Sequence, residues 1–168
     1  MVNLKINGLP ISVEKGTTIL EAAKKLNFRV PTLCHHQDLC VAGNCRVCVV
    51  EQVGAKALVA SCATPAAEGM EINTNSLKVR AARKHIIELL LSEHNADCTK
   101  CYKNGSCELQ SLANEYSMGD HIFLDLIRDK ESMIDITSPS IMKDDSKCIR
   151  CQRCVRTCAE LQGVNALA

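Results

Sequence analysis

The sequence contains few of the large side chains that normally build a hydrophobic core. Among its 168 residues there is no tryptophan, and only two tyrosines and two phenylalanines are present. Small domains, below about 70–80 residues, often need bound metal or disulfides because their cores bury too little apolar surface. A chain of this length forms one medium domain or two to three small ones. We therefore expect metal or covalent links to help hold the fold together.

The sequence also lacks the features of exported and membrane-spanning proteins. Its start, Met1–Gly8, has no apolar segment followed by small residues, so no secretory signal is visible. The longest apolar runs, around Ile86–Leu91, are far shorter than the roughly 18 residues that a spanning helix needs. Grouped cysteines in an intracellular protein more often bind metal than form disulfides. We expect a cytoplasmic protein without a membrane span, and we disfavour a secreted disulfide framework.

Neither charge sign dominates the sequence. The sequence contains twenty Lys and Arg residues and nineteen Asp and Glu residues, which gives a net charge of +1. This balance argues against nucleic acid or an anionic membrane as the main partner. No G-x-G-x-x-G fingerprint is present, so NAD and flavin are expected to bind to another polypeptide or region.

Cysteine, in contrast, is abundant, and its spacing is the main signal of the sequence. The chain has twelve cysteines, and eleven of them together with one histidine fall into three groups. The groups are Cys34-x10-Cys45-x2-Cys48-x13-Cys62, His94-x3-Cys98-x2-Cys101-x5-Cys107, and Cys148-x2-Cys151-x2-Cys154-x3-Cys158. Thiolates are soft ligands that hold iron–sulfur clusters. Three consecutive cysteines at steps of three suit a cubane, whereas tetrahedral zinc usually takes Cys-x2-Cys pairs.

The first group has the ligand count of a 2Fe–2S cluster, with two cysteines for each iron. Gly43 and Asn44 allow the loop backbone to approach the cluster and to point N–H groups at sulfide. Cys40-x4-Cys45-x2-Cys48 also fits the plant-type ferredoxin spacing, so Cys34 and Cys40 compete for one ligand position. The cysteine that is not a ligand would be a small hydrophobic residue.

The second group supplies only three cysteines, Cys98, Cys101 and Cys107, so a 4Fe–4S cluster needs a fourth ligand. His94 lies four residues before Cys98 and is the candidate. A histidine near a helix end is ordinarily a capping or surface residue, but the count of three cysteines favours a ligand here. Neutral imidazole in place of thiolate should raise the potential, as in Rieske centres. We assign no ligand role to the histidines at 35, 36, 85 and 121.

The third group matches the bacterial ferredoxin pattern Cys-x2-Cys-x2-Cys-x3-Cys, with Ala159 in place of the usual proline. In that pattern the fourth cysteine serves the other cluster of a pair. Cys158 therefore either completes a single cluster or is a ligand of a second cluster in a longer protein, and we favour the longer protein. Three arginines interleaved with these cysteines either offset cluster charge or are solvated loop charges: Arg150, Arg153 and Arg156.

Periodicity predicts an α+β protein. Alternating apolar residues around the Asn7-Gly8 turn predict a hairpin, and Thr18-x-x-Glu21 predicts a capping box at the start of a helix. A second hairpin is predicted over residues 47–60, a short strand over 71–73, and two helices beginning near residues 76 and 106. The segment from about residue 119 is weakly patterned, and a short strand is predicted from Ile141.

All three groups, in this order, resemble the N-terminal electron-input region shared by FeFe hydrogenases, the large iron–sulfur subunit of complex I and NAD-linked formate dehydrogenases. Multimeric, electron-bifurcating, NAD(P)-linked FeFe hydrogenases are the most similar. The resemblance covers essentially the whole chain. The residues that carry it are Pro31-Thr-Leu-Cys34, Ala42-Gly-Asn-Cys45-Arg-Val-Cys48-Val-Val-Glu51, Cys101-Tyr-Lys-Asn-Gly-Ser-Cys107-Glu-Leu-Gln110 and Cys148-Ile-Arg-Cys151-Gln-Arg-Cys154-Val-Arg-Thr-Cys158.

The resemblance implies three cluster domains. They are a β-grasp 2Fe–2S ferredoxin domain (residues 1–76), a helical 4Fe–4S layer with one His and three Cys ligands (77–118), and, after a linker (119–140), the start of a bacterial-ferredoxin-like 4Fe–4S domain (141–168). It implies Cys34, rather than Cys40, as the fourth 2Fe–2S ligand. One 2Fe–2S and two 4Fe–4S clusters are then expected, with a third 4Fe–4S cluster if the chain continues.

The same resemblance implies an electron-relay role inside a larger oxidoreductase. Its implied partners are a flavin- and NAD(P)-binding subunit, a thioredoxin-like 2Fe–2S subunit and ferredoxin. A second Cys-x2-Cys-x2-Cys-x3-Cys run and every residue of a hydrogen-activating domain are absent from the sequence. Two alternatives stay open: the chain is the front part of a catalytic hydrogenase, formate dehydrogenase or transhydrogenase subunit that extends beyond Ala168, or it is a zinc-stapled binding module.

Overall fold

The computed structural model of the chain describes residues 1–117 and 134–167. Its strands and helices are β1 (Val2–Ile6), β2 (Leu9–Val13), α1 (Ile19–Lys25), β3 (Val49–Gln52), β4 (Val59–Ala60), β5 (Glu71–Asn73), α2 (Leu77–Ser92), α3 (Glu108–Glu115), β6 (Ile134–Asp135), β7 (Lys143–Asp144) and α4 (Arg153–Arg156). Three short helical turns are also present, Cys98–Lys100, Asp145–Lys147 and Thr157–Leu161. The mixed α/β content agrees with the predicted fold class.

The chain divides into two compact units. Unit 1 comprises Met1–Arg83 together with Gln152–Ala168, and unit 2 comprises Lys84–Cys151. Helix α2 begins in unit 1 and ends in unit 2. The predicted linker lies mostly outside the described residues, and the bounds of the four predicted segments stay predictions. Among the described residues, no helix is both long enough and apolar enough to cross a bilayer.

Unit 1 is built on a five-stranded mixed sheet with the order β2-β1-β5-β3-β4. Strand β1 pairs antiparallel with β2 and parallel with β5, and β3 pairs antiparallel with both β4 and β5. The β1–β2 hairpin turns at Asn7 and Gly8, whose φ angles are 50° and 83°. Two positive φ angles are what a tight two-residue turn between twisted strands requires, so the predicted hairpin is confirmed.

Helix α1 begins at the predicted capping box. The Thr18 hydroxyl accepts a hydrogen bond from the backbone N–H of Glu21 (3.2 Å), and the Glu21 carboxylate accepts one from the N–H of Thr18 (2.7 Å). Each side chain thus satisfies a donor that the first helical turn leaves unpaired. This hydrogen bond from Thr18 holds the pKa of Glu21 below its ordinary value of 4.5.

The core of unit 1 lies between this helix and the sheet. Its buried residues are Leu4, Ile6, Val13, Ile19, Ala22, Ala23, Val30, Cys48, Val50, Ala60, Cys62, Ala66 and Ile72. Cys48 and Cys62 belong to this same cluster, so part of the first cysteine group is packed against the hydrophobic core rather than displayed on a surface loop.

Helix α2 differs in detail from its prediction. The apolar pattern predicts a buried stripe of Val79, Ala82, Ile86 and Leu90. In the structure Val79 and Ile87 are fully buried, together with the charged side chains of Arg83 (2% exposed) and Glu88 (1% exposed). Apolar periodicity alone does not detect a buried charged residue.

Unit 2 contains the end of α2, helix α3 and a small two-stranded sheet. Helix α3 buries Leu109 and Leu112, as the predicted helix over this segment requires. Strand β7 lies two residues after the predicted start at Ile141 and pairs antiparallel with β6. Strand β6 is absent from the sequence prediction, because Ile134–Asp135 falls within the predicted linker.

Candidate metal centres

The first cysteine group lies in the loops that flank α1, β3 and β4 in unit 1. Cys34 follows α1, Cys45 and Cys48 precede β3, and Cys62 follows β4. Their exposed fractions are 1%, 9%, 1% and 2%, so all four side chains are withdrawn from solvent. Cys40, the competing candidate, is exposed. The structure therefore buries the four residues that the resemblance implies and leaves the fifth at the surface.

Two short sulfur contacts divide this group into pairs. The sulfur atoms of Cys48 and Cys62 lie 3.3 Å apart, close enough to share one proton. This contact lowers the pKa of Cys48 to about 6 and raises the pKa of Cys62. The backbone N–H of Cys34 donates to the sulfur of Cys45 at 3.4 Å, while burial raises the pKa of the Cys45 thiol. Backbone donors directed at ligand sulfur are one means by which proteins tune cluster potentials.

The backbone around Cys45 adopts the left-handed conformation that its glycine permits. Gly43 has a φ of 62° and Arg46 a φ of 58°. Glycine reaches this region without steric cost, and a Cβ at Gly43 would lie 3.7 Å from the Cβ of Ala63, which is ordinary contact. The left-handed φ, rather than close packing, is therefore what favours glycine at residue 43.

Among the described residues, no three Cys, His, Asp or Glu side chains converge closely enough to hold a single metal ion. A cluster imposes a different arrangement, because its ligands attach to separate iron atoms and not to one ion. Two buried pairs of thiols, with all twelve cysteines free of disulfides, fit a 2Fe–2S donor set better than they fit a tetrahedral zinc site.

The second group lies in unit 2, between the end of α2 and the start of α3. His94 follows α2, Cys98 begins a helical turn, and Cys107 is the N-cap residue of α3. His94, Cys98 and Cys107 line one open cavity of about 210 Å³. Cys101 is half-buried and is linked to Cys98 by a backbone hydrogen bond of 3.1 Å. The structure thus brings three of the four predicted residues to one cavity and places the fourth on the adjacent turn.

The third group is divided between the two units. Cys148 and Cys151 belong to unit 2, whereas Cys154 and Cys158 belong to unit 1. The Cys148 sulfur accepts a hydrogen bond from the backbone N–H of Arg150 (3.4 Å), and the Cys158 sulfur accepts one from that of Ala166 (3.2 Å). Both sulfurs therefore have backbone donors, as the first group does.

Within unit 2, the segment before Cys148 is fixed to the loop that contains His94. Asn95 donates through its backbone N–H to the carbonyl of Ser146 (2.8 Å), and the ammonium of Lys147 donates to the carbonyls of Asn95 and Asp97. The guanidinium of Arg150 pairs with the carboxylate of Glu93 at 2.6 Å. These contacts set the position of the Cys148 segment relative to the second group.

Within unit 1, the segment that carries Cys154 and Cys158 is fixed to the loop of the first group. The Arg156 guanidinium donates to the carbonyl oxygens of Cys34 and Cys40. The Glu160 carboxylate accepts a hydrogen bond of 2.7 Å from the N–H of Cys40. Sequence pattern marks Arg156 only as a charge among cysteines, and it assigns no role to Glu160.

The remaining histidines show no ligand arrangement in the described part of the chain. Burial lowers the pKa of His35, and His36 lies 3.6 Å from the carboxylate of Asp38. His85 is exposed on α2, and His121 lies outside the described residues.

Two family models match the chain. Residues 1–77 match a 2Fe-2S iron-sulfur cluster binding domain, and residues 83–121 match the NADH-ubiquinone oxidoreductase-G iron-sulfur binding region. A solved structure, that of NAD+-reducing [NiFe]-hydrogenase in the H2-reduced state, contains a chain that superposes with a TM-score of 0.87 at 34% identity. The match covers 99% of this chain and 69% of that chain. The chain belongs to the family of oxidoreductase iron–sulfur proteins that these two models and this hydrogenase chain represent. The predicted resemblance is confirmed.

Curated relatives agree with this assignment. The chain is 44% identical to NADP-reducing hydrogenase subunit HndD of Solidesulfovibrio fructosivorans over 98% of its own length. It is 39% identical to the NADH-ubiquinone oxidoreductase 75 kDa subunit of Reclinomonas americana, also over 98% of its length. It spans 30% and 23% of these two relatives. The chain therefore corresponds to the iron–sulfur region of these hydrogenase and NADH-ubiquinone oxidoreductase subunits.

Proposed function

We propose that this module relays electrons between a flavin- and NAD(P)-binding subunit and a second redox centre of a multisubunit oxidoreductase. The observation that carries the proposal is the burial of Cys34, Cys45, Cys48 and Cys62 together at the edge of the unit 1 core. Four free, buried thiols have no structural need to be cysteine, because small apolar residues would fill the same space. Their chemistry as ligands explains their presence.

The proposed ligands follow the three groups. Cys34, Cys45, Cys48 and Cys62 would hold a 2Fe–2S cluster in a β-grasp domain, a fold that the parallel pairing of β1 with β5 in the mixed sheet supports. His94, Cys98, Cys101 and Cys107 would hold one 4Fe–4S cluster. Cys148, Cys151 and Cys154 would bind a second 4Fe–4S cluster, with Cys158 directed to a third. When bound, such clusters supply one-electron carriers.

The protein residues then have three tasks. Thiolates and one imidazole bind iron, and backbone N–H groups such as that of Cys34 donate to sulfur and stabilise negative charge there. The hydrophobic core around Cys48 and Cys62 excludes water from the first site. Because only electrons pass through the chain, no proton or substrate atom has to be transferred on it.

The proposed partners are the flavin- and NAD(P)-binding subunit, a thioredoxin-like 2Fe–2S subunit and ferredoxin. The relatives support a NAD(P)-linked partner, since they are subunits of a NADP-reducing hydrogenase and of an NADH-ubiquinone oxidoreductase. Electron bifurcation and a cytoplasmic location stay predictions.

The proposal is tested by anaerobic purification of the chain, followed by iron and acid-labile sulfide analysis and low-temperature EPR. One 2Fe–2S and two 4Fe–4S clusters correspond to about ten irons and about ten sulfides for each chain. The reduced protein should give a 2Fe–2S signal and separate 4Fe–4S signals. Colourless protein that contains zinc and no sulfide would instead support the zinc-stapled binding module.

A second candidate function is supported by the length of the relatives. HndD extends well beyond the region that this chain matches, since the chain covers 30% of it. The residues described here would then be the electron-input part of a longer catalytic subunit, such as a hydrogenase, formate dehydrogenase or transhydrogenase. Sequencing the native transcript separates the two candidates, because only the second requires a downstream catalytic region in the same reading frame.

A further inference from the structure

The contact between the C-terminal helix and the first cysteine loop is made by two charged side chains. Arg156 ends helix α4, and Glu160 lies in the helical turn that follows it. Residues four apart on a helix lie on the same side, so both side chains reach the same loop. Arg156 donates to the carbonyls of Cys34 and Cys40 (2.5 Å to the latter), and Glu160 accepts from the N–H of Cys40.

Both ends of this contact carry proposed ligands. Arg156 is two residues from Cys154 and two from Cys158, and one of its acceptors is the backbone of Cys34 itself. A guanidinium presents several donors in a rigid plane, so one side chain can hold two carbonyl groups at a fixed separation. The loop over residues 34–40 and the helix of the third group are therefore held in one geometry.

The guanidinium retains a further donor. The Nε atom of Arg156 is buried and has no hydrogen-bond partner among the described residues. A buried donor of a charged group without an acceptor is destabilising, and a nearby anionic centre compensates part of that cost. A permanent positive charge beside the backbone of Cys34 fits a site whose negative charge increases on reduction.

Resting on the function proposed above, we propose that Arg156 is a positioning residue of the electron path. It fixes the loop of the 2Fe–2S site against the helical segment that carries Cys154 and Cys158. Its positive charge raises the reduction potential of the 2Fe–2S site. Glu160 completes the same contact but carries the opposite charge. Loss of either side chain should loosen the loop, whereas the two losses should move the potential in opposite directions.

The test is made on the full chain, purified anaerobically, with two readouts. EPR-monitored redox titration gives the 2Fe–2S midpoint potential, and hydrogen–deuterium exchange gives the opening of the loop over residues 34–40. Arg156→Gln should lower the potential by about 59 mV, the equivalent of a tenfold change in the ratio of reduced to oxidised site for one electron. It should also speed loop exchange by about tenfold, because charge-assisted hydrogen bonds are lost.

Three further variants separate charge from geometry. Arg156→Lys keeps the charge but not the planar fork, so exchange should rise while the potential stays closer to that of the wild type. Glu160→Gln should raise the potential and also speed exchange. Arg150→Gln is the matched control, since it removes the same charge between two cysteines of the third group but its partner is Glu93. It should leave both readouts of the first site unchanged.

Two results would overturn the inference about Arg156 and leave the proposed function intact. The first is a 2Fe–2S signal in Arg156→Gln with the wild-type potential and wild-type loop exchange. The second is a fall in potential for Glu160→Gln, which would show loosening without an electrostatic effect. If Arg156→Gln does not fold, Arg156→Lys and Glu160→Gln still decide the question. Wild-type protein without any 2Fe–2S signal would instead refute the proposed function.

Discussion

The guanidinium of Arg83 donates a hydrogen bond of 2.7 Å to the carbonyl oxygen of Val49, and both residues are buried. Val49 directly follows the proposed ligand Cys48 and begins strand β3. This contact joins the first turns of α2 to the backbone next to the first cysteine group. It gives a structural reason for a charged residue at a position where the apolar pattern of α2 predicts none.

We expect Arg83→Met to lower the free energy of unfolding by about 1.5–3 kcal/mol, because a buried hydrogen bond to a charged group is lost. Anaerobic chemical denaturation measures the change. The matched control is Arg80→Met on the exposed side of α2, which should stay within about 0.5 kcal/mol of the wild type. Equal stability of the two variants would contradict a structural role for Arg83.

The choice between Cys34 and Cys40 as a ligand is tested by replacing each with serine. Cys34 is 1% exposed and its N–H contacts the sulfur of Cys45, whereas Cys40 is exposed. Cys34→Ser should therefore change the 2Fe–2S EPR and visible spectra, and Cys40→Ser should leave both unchanged. The opposite pattern would make Cys40 the ligand, in the plant-type spacing.

The role of His94 is tested by two substitutions with different outcomes. His94→Cys should keep a 4Fe–4S cluster at a lower potential, because an anionic thiolate replaces a neutral imidazole. His94→Ala should lose the cluster or leave a three-iron form. Redox titration with EPR detection distinguishes these results, and His85→Ala, at an exposed position of α2, is the control. Wild-type spectra and potentials in both His94 variants would remove this residue from the ligand set.

The capping box at the start of α1 should stabilise unit 1 independently of the clusters. Thr18→Ala removes an N-cap side chain and should lower stability by about 1 kcal/mol, while Thr17→Ala should have a smaller effect. The Glu21 carboxylate, whose pKa lies below 4.5, contributes fully at pH 7 and loses its contribution only as the pH falls through that lowered value. Denaturation at pH 7 measures the loss, and unchanged EPR spectra would show that the clusters are unaffected.

Local signals predicted unit 1 well. Three of its signals involve residues that are neighbours in sequence, so each can be recognised from a short stretch of the chain. They are the Asn7-Gly8 turn, the Thr18–Glu21 capping box and the alternating residues of β1 and β2. The cysteine spacing, in contrast, left Cys34 and Cys40 as alternatives, and only the resemblance implied Cys34, which is the buried one of the two. The helix predicted to begin near residue 106 corresponds to α3, which spans Glu108–Glu115.

Long-range contacts could not be predicted in this way. Arg156 and Cys34 are 122 residues apart in sequence, so their hydrogen bond depends on the tertiary fold and has no local pattern. The burial of Arg83 likewise depends on the carbonyl of Val49 in β3, and the apolar periodicity of α2 carries no information about that strand. Strand β6 has only two residues, which is too short for an alternating pattern to appear.

The close approach of the Cys48 and Cys62 sulfur atoms has a consequence for how the protein must be made. At 3.3 Å, a small movement brings them to the bonding distance of about 2.05 Å, with loss of two electrons and two protons to an oxidant. Such cross-linking would withdraw two donors from the first group in one step. Loading of the first site with iron therefore requires Cys48 and Cys62 in their reduced form.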